Sequence, residues 1–385
     1  MADWSRLHEH VLALIIRRVT NLSDHIRVSG VCSSWRAIAK QNRHYLLGHQ
    51  IPGLMISGTL GNCNQETRQF LIFPENFERK TVPPLLYVPH RHKCCGSHQG
   101  WLALLDEDMG MYLLNPLAQK RRRLPTLAFL QTAYMRFLNV DKAVMSSTPS
   151  SSNCVVLIFY GRCGLAFCRL GDKSWTNIDH GSSNGFSDGL YLKGRFYVVD
   201  DFGRIYACDT NASTRSLEEF EYQPGETKYR NKWYLVDLEG ELYRVLRKFD
   251  VSEKFYYGDT SSDDDDDEEE DENTGIMGLV STRKFRLWKL DLSKKRWISV
   301  QDLADYAVFL GYNNSISLSV FDVVGVRGNC IYFTDDRLSK HFGFTWRGHD
   351  MGVFYLKDST MAPLYWTQSE WVKLPPAIWF IPLPW

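Results

Sequence analysis

From about residue 50 onward the chain is written in short runs of aromatic and β-branched residues, separated by Gly, Asn, Asp and Lys. Examples are "GLMISG" at Gly53, "CVVLIFYG" at Cys154, "GRFYVVDDFGRIYACD" at Gly194, "WYLVDLEGELYRVL" at Trp233 and "FRLWKLDL" at Phe285. Runs of this length, bounded by turn residues, read as strands. Nothing between them resembles the long helices that parallel strands need as crossovers. The pattern predicts a mainly β domain over residues 50–385.

Some of the runs repeat a plan. "LAFCRLGDKSWTNI" (165–178) and "LWKLDLSKKRWISV" (287–300) each carry an apolar strand, a polar turn with Lys, and then Trp175 or Trp297 ahead of an aliphatic residue. "YLLNPLAQKRRRLP" (112–125) and "IYACDTNASTRSLEEF" (205–220) repeat the strand and turn without the Trp. Imperfect strand-turn-strand units recurring over tens of residues are the mark of a β-propeller, here with about six blades.

The first 45 residues obey a different period. Val11, Leu12, Ile15, Ile16 and Val19 recur at helical spacing, and Val28, Val31, Cys32, Trp35, Ile38 and Ala39 form a second set after a break at Asn21–Asp24. Ser23 is placed to cap the second set. Two or three helices of this length cannot bury all these side chains among themselves. Their apolar stripe must meet the rest of the chain or another protein.

Charge narrows the function classes. The 45 basic and 45 acidic residues cancel, which favours neither a nucleic-acid partner nor a membrane surface. Ten of the acids form one run, Asp263 to Glu272, so the remainder is net basic. That run repels itself and reads as a solvated insertion over 258–275. Nine scattered cysteines without a C-x-x-C pair point to free thiols in a reducing compartment, the cytosol and/or the nucleus. No secretory signal or apolar span of membrane length is expected.

Catalytic and metal-binding patterns are weak. "PHRHKCCGSH" gathers His90, His92, Cys94, Cys95 and His98, but adjacent cysteines on an extended chain point to opposite sides and no second ligand pair completes a shell. "GSSNG" around Ser183 matches a nucleophile elbow, yet turn and strand follow it rather than a helix. "HEH" at His8 fails as a zinc-protease helix because Leu12 stands at the second ligand position. "KRRR" (Lys120–Arg123) reads as an exposed turn. No cofactor, metal or catalytic residue is expected.

The segment "WSRLHEHVLALIIRRVTNLSDHIRVSGVCSSWRAIAK" resembles an F-box, in its Trp4-Ser5-x-Leu7 opening, its Leu12, Ile15, Arg18 and Val19 helix, its Asp24 and Arg27 step, and its Val31-Cys32-x-x-Trp35-Arg36-x-x-Ala39 ending. "GSHQGWLALLDEDMGMYLLNPLAQKRRRLP" and "PAIWFIP" are similar to the Gly-Trp-Leu and Asn-Pro signature and to the close of the kelch-like KIB-type β-propeller of plant F-box proteins. The resemblance implies an F-box helical domain over 1–45 ahead of the propeller. It also implies a non-catalytic substrate receptor of an SCF-type ubiquitin ligase. A Skp-type adaptor, and through it a cullin, would bind Leu7, Leu12, Ile15, Ile16, Val19, Val31, Cys32, Trp35, Arg36 and Ile38, while the propeller holds an unidentified target protein. The chain departs from the F-box pattern at His8, Glu9, His10 and Val11, where a Pro start is usual. The alternative is a binding propeller outside any ligase, capped by a degenerate F-box.

Overall fold

The computed structural model describes residues 4, 7–19, 22–42, 52–56, 68–72, 80–82, 88–89, 92–127, 140–161, 163–181, 184–210, 217–220, 231–256, 276–291, 293–294, 296–323, 325–336, 350–364 and 377–383. The helical region comprises α1 (Glu9–Arg17), α2 (Leu22–Gly30) and α3 (Ser33–Gln41). His8 caps α1, its Nδ1 accepting from the His10 N–H at 3.4 Å. The helix therefore starts without the usual Pro. Leu12, Ile16, Ile38 and Ala39 form the core of this module, with Leu7, Ala13, Val28 and Trp35 packed around it. The second periodic set is not one helix. It breaks at Val31–Cys32, and α2 begins at Leu22, so Ser23 lies inside its first turn instead of preceding it. Cys32 takes the extended conformation that starts α3, with no side-chain cap.

The strands assemble into six sheets. Blade 1 holds β1 (Gly53–Ile56), β2 (Gln69–Ile72) and β3 (Lys80–Val82); blade 2 holds β4 (Lys93–His98), β5 (Trp101–Leu105), β6 (Met111–Asn115) and β7 (Lys120–Arg123). Blade 3 holds β8 (Val140–Met145), β9 (Val155–Tyr160), β10 (Gly164–Arg169) and β11 (Thr176–Asn177); blade 4 holds β12 (Phe186–Leu192), β13 (Arg195–Asp200), β14 (Ile205–Cys208) and β15 (Glu218–Glu219). Blade 5 holds β16 (Lys232–Leu238), β17 (Glu241–Tyr256), β18 (Ile276–Asp291) and β19 (Arg296–Val300). Blade 6 holds β20 (Tyr306–Leu310), β21 (Ile316–Ser319), β22 (Cys330–Phe333), β23 (Gly352–Tyr355) and β24 (Thr360–Pro363). The last strand, β25 (Ile378–Phe380), pairs with β1 and completes blade 1. The two ends of the domain are thus sewn into one sheet.

Alternation along each strand places one row of side chains against the preceding blade and the other against the following one. In β5, Trp101, Ala103 and Leu105 face blade 3, while Leu102 and Leu104 face blade 1. Equivalent apolar layers join blades 3 and 4 through Leu157 and Phe196, blades 4 and 5 through Val199 and Trp233, blades 5 and 6 through Leu287 and Phe333, and blades 6 and 1 through Phe309 and Trp379. The layers close a ring, the six-bladed propeller expected from the repeats. Trp175 and Trp297 play the same part in blades 3 and 5, each packing against the blade before its own. Trp175 also donates to the Pro125 carbonyl at 2.9 Å.

Two features depart from the expected plan. "KRRR" is strand, not turn, because it pairs with β6 from Asn115↔Lys120 to Tyr112↔Arg123. In blade 6, β20 is inserted between β21 and β22, antiparallel to the first and parallel to the second. The chain between β20 and β21, Gly311 to Ser315, crosses the axis of the ring. Asn313 Nδ2 donates to Trp379 O and Ser97 Oγ, both at 2.6 Å, and its carbonyl accepts from Lys142 Nζ at 3.1 Å. Ser315 Oγ donates to Asp188 at 3.4 Å, and Ser317 Oγ to Asp237 O at 2.5 Å. One short segment of blade 6 is thereby bonded to each of the other five blades. The centre is tight enough that a Cβ on Gly96 would lie 2.0 Å from the Ala143 carbonyl oxygen.

Candidate docking surfaces

The helical module leaves apolar side chains uncovered. On α1, Leu12 and Ile16 turn into the module core, while Val11, Leu14 and Ile15 are 45%, 59% and 38% exposed. Their spacing of three and four residues puts these three side by side on the helix surface. These exposed apolar side chains lie opposite the buried stripe, so α1 is apolar on both sides. Val31, at the α2–α3 junction, is 53% exposed.

The ten residues expected to meet an adaptor therefore divide. Ile15, Val31 and Arg36 are exposed, and Leu7, Val19, Cys32 and Trp35 are half-buried. Leu12, Ile16 and Ile38 lie inside the module core and shape it from within. Trp35 packs against that core and donates from Nε1 to the Trp4 carbonyl at 3.1 Å. Leu14 and Val11 were outside the expected set. The signal that could have found them is the all-round apolarity of "VLALII", which a stripe one residue wide overlooks.

The propeller interior is committed to its own bonds. Arg247 on β17 reaches Asp336 Oδ1, Asp350 Oδ2 and Asp350 O at 3.0 Å each, Thr334 O at 2.8 Å, Thr282 Oγ1 at 2.7 Å and Tyr234 Oη at 3.2 Å. All its donors are used. Burial would raise the Asp336 carboxyl, but Lys232 at 2.7 Å and Arg247 hold it below the usual carboxylate range. Burial, with the Asp336 charge beside it, pushes the Tyr234 phenol well up. Lys142 and Asp188 form a second buried ion pair. Trp233, Trp288 and Trp297 surround a guanidinium of the chain's own, Arg244, at 5.4, 5.1 and 4.4 Å. These groups lock blades together.

The cysteine-histidine stretch is strand β4. Cys94 faces the layer between blades 1 and 2, and Cys95 the layer between blades 2 and 3. Burial pushes their thiols up to about 11 and about 12. Facing opposite layers, the two thiols do not converge on one point. His92 Nδ1 lies 2.5 Å from Tyr112 Oη. Among the described residues no group of three His, Cys, Asp or Glu side chains is disposed to hold a metal ion. His90, Ser183 and the insertion at 258–275 lie outside the described residues.

The fold has two parts, a small helical module and a closed six-bladed ring. A family model described as the KIB1-4 beta-propeller matches residues 70–355. F-box protein SKIP23 of Arabidopsis thaliana is 24% identical to this chain, over 97% of this chain and 96% of its own length. F-box protein At2g17036 of the same plant is 24% identical over 97% and 95%, and F-box/kelch-repeat protein At1g64840 is 24% identical over 87% and 85%. The chain belongs to the KIB1-4 beta-propeller family, and the relatives it is similar to along most of its length are plant F-box proteins.

Proposed function

We propose that the chain is the substrate-recognition subunit of an SCF-type E3 ubiquitin ligase in the cytosol or nucleus. The uncovered side of α1 docks in a groove of a Skp-type adaptor, which joins it to a cullin, and the propeller holds the target protein. The observation that carries this reading is the double-sided apolarity of α1, with Leu14 outward where Leu12 and Ile16 point inward. An amphipathic helix laid in a hydrophobic groove is a recurrent way of burying such a surface. The chain performs no bond chemistry in this role. It raises the effective concentration of target lysines at the ubiquitin-loaded enzyme. Co-elution of the full chain with a plant Skp-type adaptor and cullin tests the reading.

A second reading rests on the "HEH" start. His8 caps α1 in place of a Pro, so the module keeps its shape, but the residues at its beginning differ from the F-box pattern. A folded chain that ignores every plant Skp-type adaptor would be a binding propeller outside any ligase.

A further inference from the structure

The outermost strand of blade 2 is Lys120-Arg121-Arg122-Arg123, and all four residues are exposed. Among the described residues no strand lies beyond it. Several basic residues elsewhere on the blades are paired with acids: Arg195 with Glu218 at 2.7 Å, and Lys193 and Lys289 with Glu241 at 3.4 and 3.8 Å. None of the four residues of β7 has such a partner among the described residues. Arg121 instead stacks on the Tyr112 ring, 3.6 Å from its centroid.

A further cation is buried beside His92, at the start of blade 2. Arg68 is 2% exposed, and its Nη2 donates to the His92 carbonyl at 2.6 Å. Its Nε and Nη1 have no hydrogen-bond partner. Asp106, near His92, is occupied by the backbone N–H groups of Asp108 and Gly110 at 3.1 and 2.6 Å. Blade 2 thus carries an exposed row of cations, and the Arg68 guanidinium, just ahead of β2 in blade 1, is bonded to its His92 carbonyl.

The backbone of β7 is equally open. Leu124 N donates to Met111 O at 3.0 Å, which makes that opposed pair a hydrogen-bonded one. By the antiparallel alternation Arg122 and Lys120 also bond to β6, and the N–H and C=O groups of Arg121 and Arg123 point away from the sheet.

We propose that β7 is a docking edge for an acidic, extended peptide segment of a partner protein, which adds to blade 2 as a further strand. Backbone bonds to Arg121 and Arg123 would supply the register, and carboxylates along one face of the peptide would meet the side chains of those two residues. Charges on an open edge commonly serve to prevent pairing with other strands. Here they repel basic strands, including a second copy of β7, and favour an acidic one. The inference is independent of the adaptor reading, since neither surface needs the other.

The test uses the full chain and a fluorescein-labelled, strand-length peptide of alternating Glu and Val, followed by fluorescence anisotropy, with an alternating Lys and Val peptide as control. The expected result is saturable binding of the acidic peptide alone, weakened at least about tenfold by Arg121→Glu with Arg123→Glu, at unchanged unfolding midpoint. Arg123→Pro, which removes an outward N–H, should weaken binding more than Arg123→Ala, which keeps it. No binding, or binding untouched by charge reversal, overturns the proposal. Equal effects of Pro and Ala would overturn strand addition. Binding seen only after deletion of Asp263–Glu272 would make the chain's own acidic run the occupant and overturn an external partner.

Discussion

Asn313 Nδ2 lies 2.6 Å from Ser97 Oγ, a bond across the axis of the ring between residues 216 positions apart. The same nitrogen bonds the Trp379 carbonyl at 2.6 Å, in the strand that closes the ring. Asn313→Ala would strip a partner from two buried acceptors at once. The expected loss is about 2–4 kcal/mol, read as a lower urea midpoint at unchanged slope. A loss under about 0.5 kcal/mol, the range of neutral surface changes, would show that the crossing segment does not hold the ring together.

Arg247 couples blades 5 and 6 by bonding Asp336 and Asp350, which flank the connection between β22 and β23. Arg247→Met leaves buried carboxylates short of their cation. The stability change should fall at about 3–5 kcal/mol, the range for breaking one side of a buried pair. Equilibrium denaturation of the full chain measures it.

Acid should act through the same cluster. The Asp336 carboxyl is held below its unfolded value, so its contribution is fully present above about pH 4 and is lost as the pH falls through the lower folded value. Asp336→Asn should be less stable than wild type at neutral pH and should lose less between about pH 4 and pH 2. Thermal unfolding across that range checks both parts.

Thiol reactivity follows burial. Cys94 and Cys95, raised to about 11 and about 12, should resist alkylation in the native protein at about pH 8, while half-buried Cys32 and Cys163 react before them. Mass spectrometry of timed aliquots gives the order. Early modification of Cys94 or Cys95 would place blade 2 in rapid local opening.

The parts legible in the sequence are those specified locally. Period-two runs marked the strands, the paired Trp175 and Trp297 marked equivalent outer strands, and helical spacing marked the module ahead of the ring. "GYNNS" (311–315) reads as an ordinary turn, because its partners Ser97, Lys142, Asp188 and Trp379 are remote in the chain. Arg247 sits in "LYRVLRKF" where strand alternation permits an exposed residue, and only the pairing of blades 5 and 6 makes it buried. "KRRR" reads as a turn because it stands between the strand "MYLLN" and "LP". Pairing with β6 makes it a strand instead. On α1 the periodic set mixed inward Leu12 and Ile16 with outward Val11 and Ile15 and left out outward Leu14, since spacing identifies an apolar stripe but not which of its residues the rest of the module covers.

The most direct test of the account is calorimetric titration of a purified plant Skp-type adaptor into the full chain, with wild type and Leu14→Asp side by side. Leu14 is exposed in the free chain and should be buried in the complex, a difference of about 1.5–3 kcal/mol for a leucine. The account predicts saturable binding by wild type, weakened at least about tenfold by Leu14→Asp at an unchanged unfolding midpoint. A folded wild type that does not bind, or equal binding by the two proteins, would contradict it.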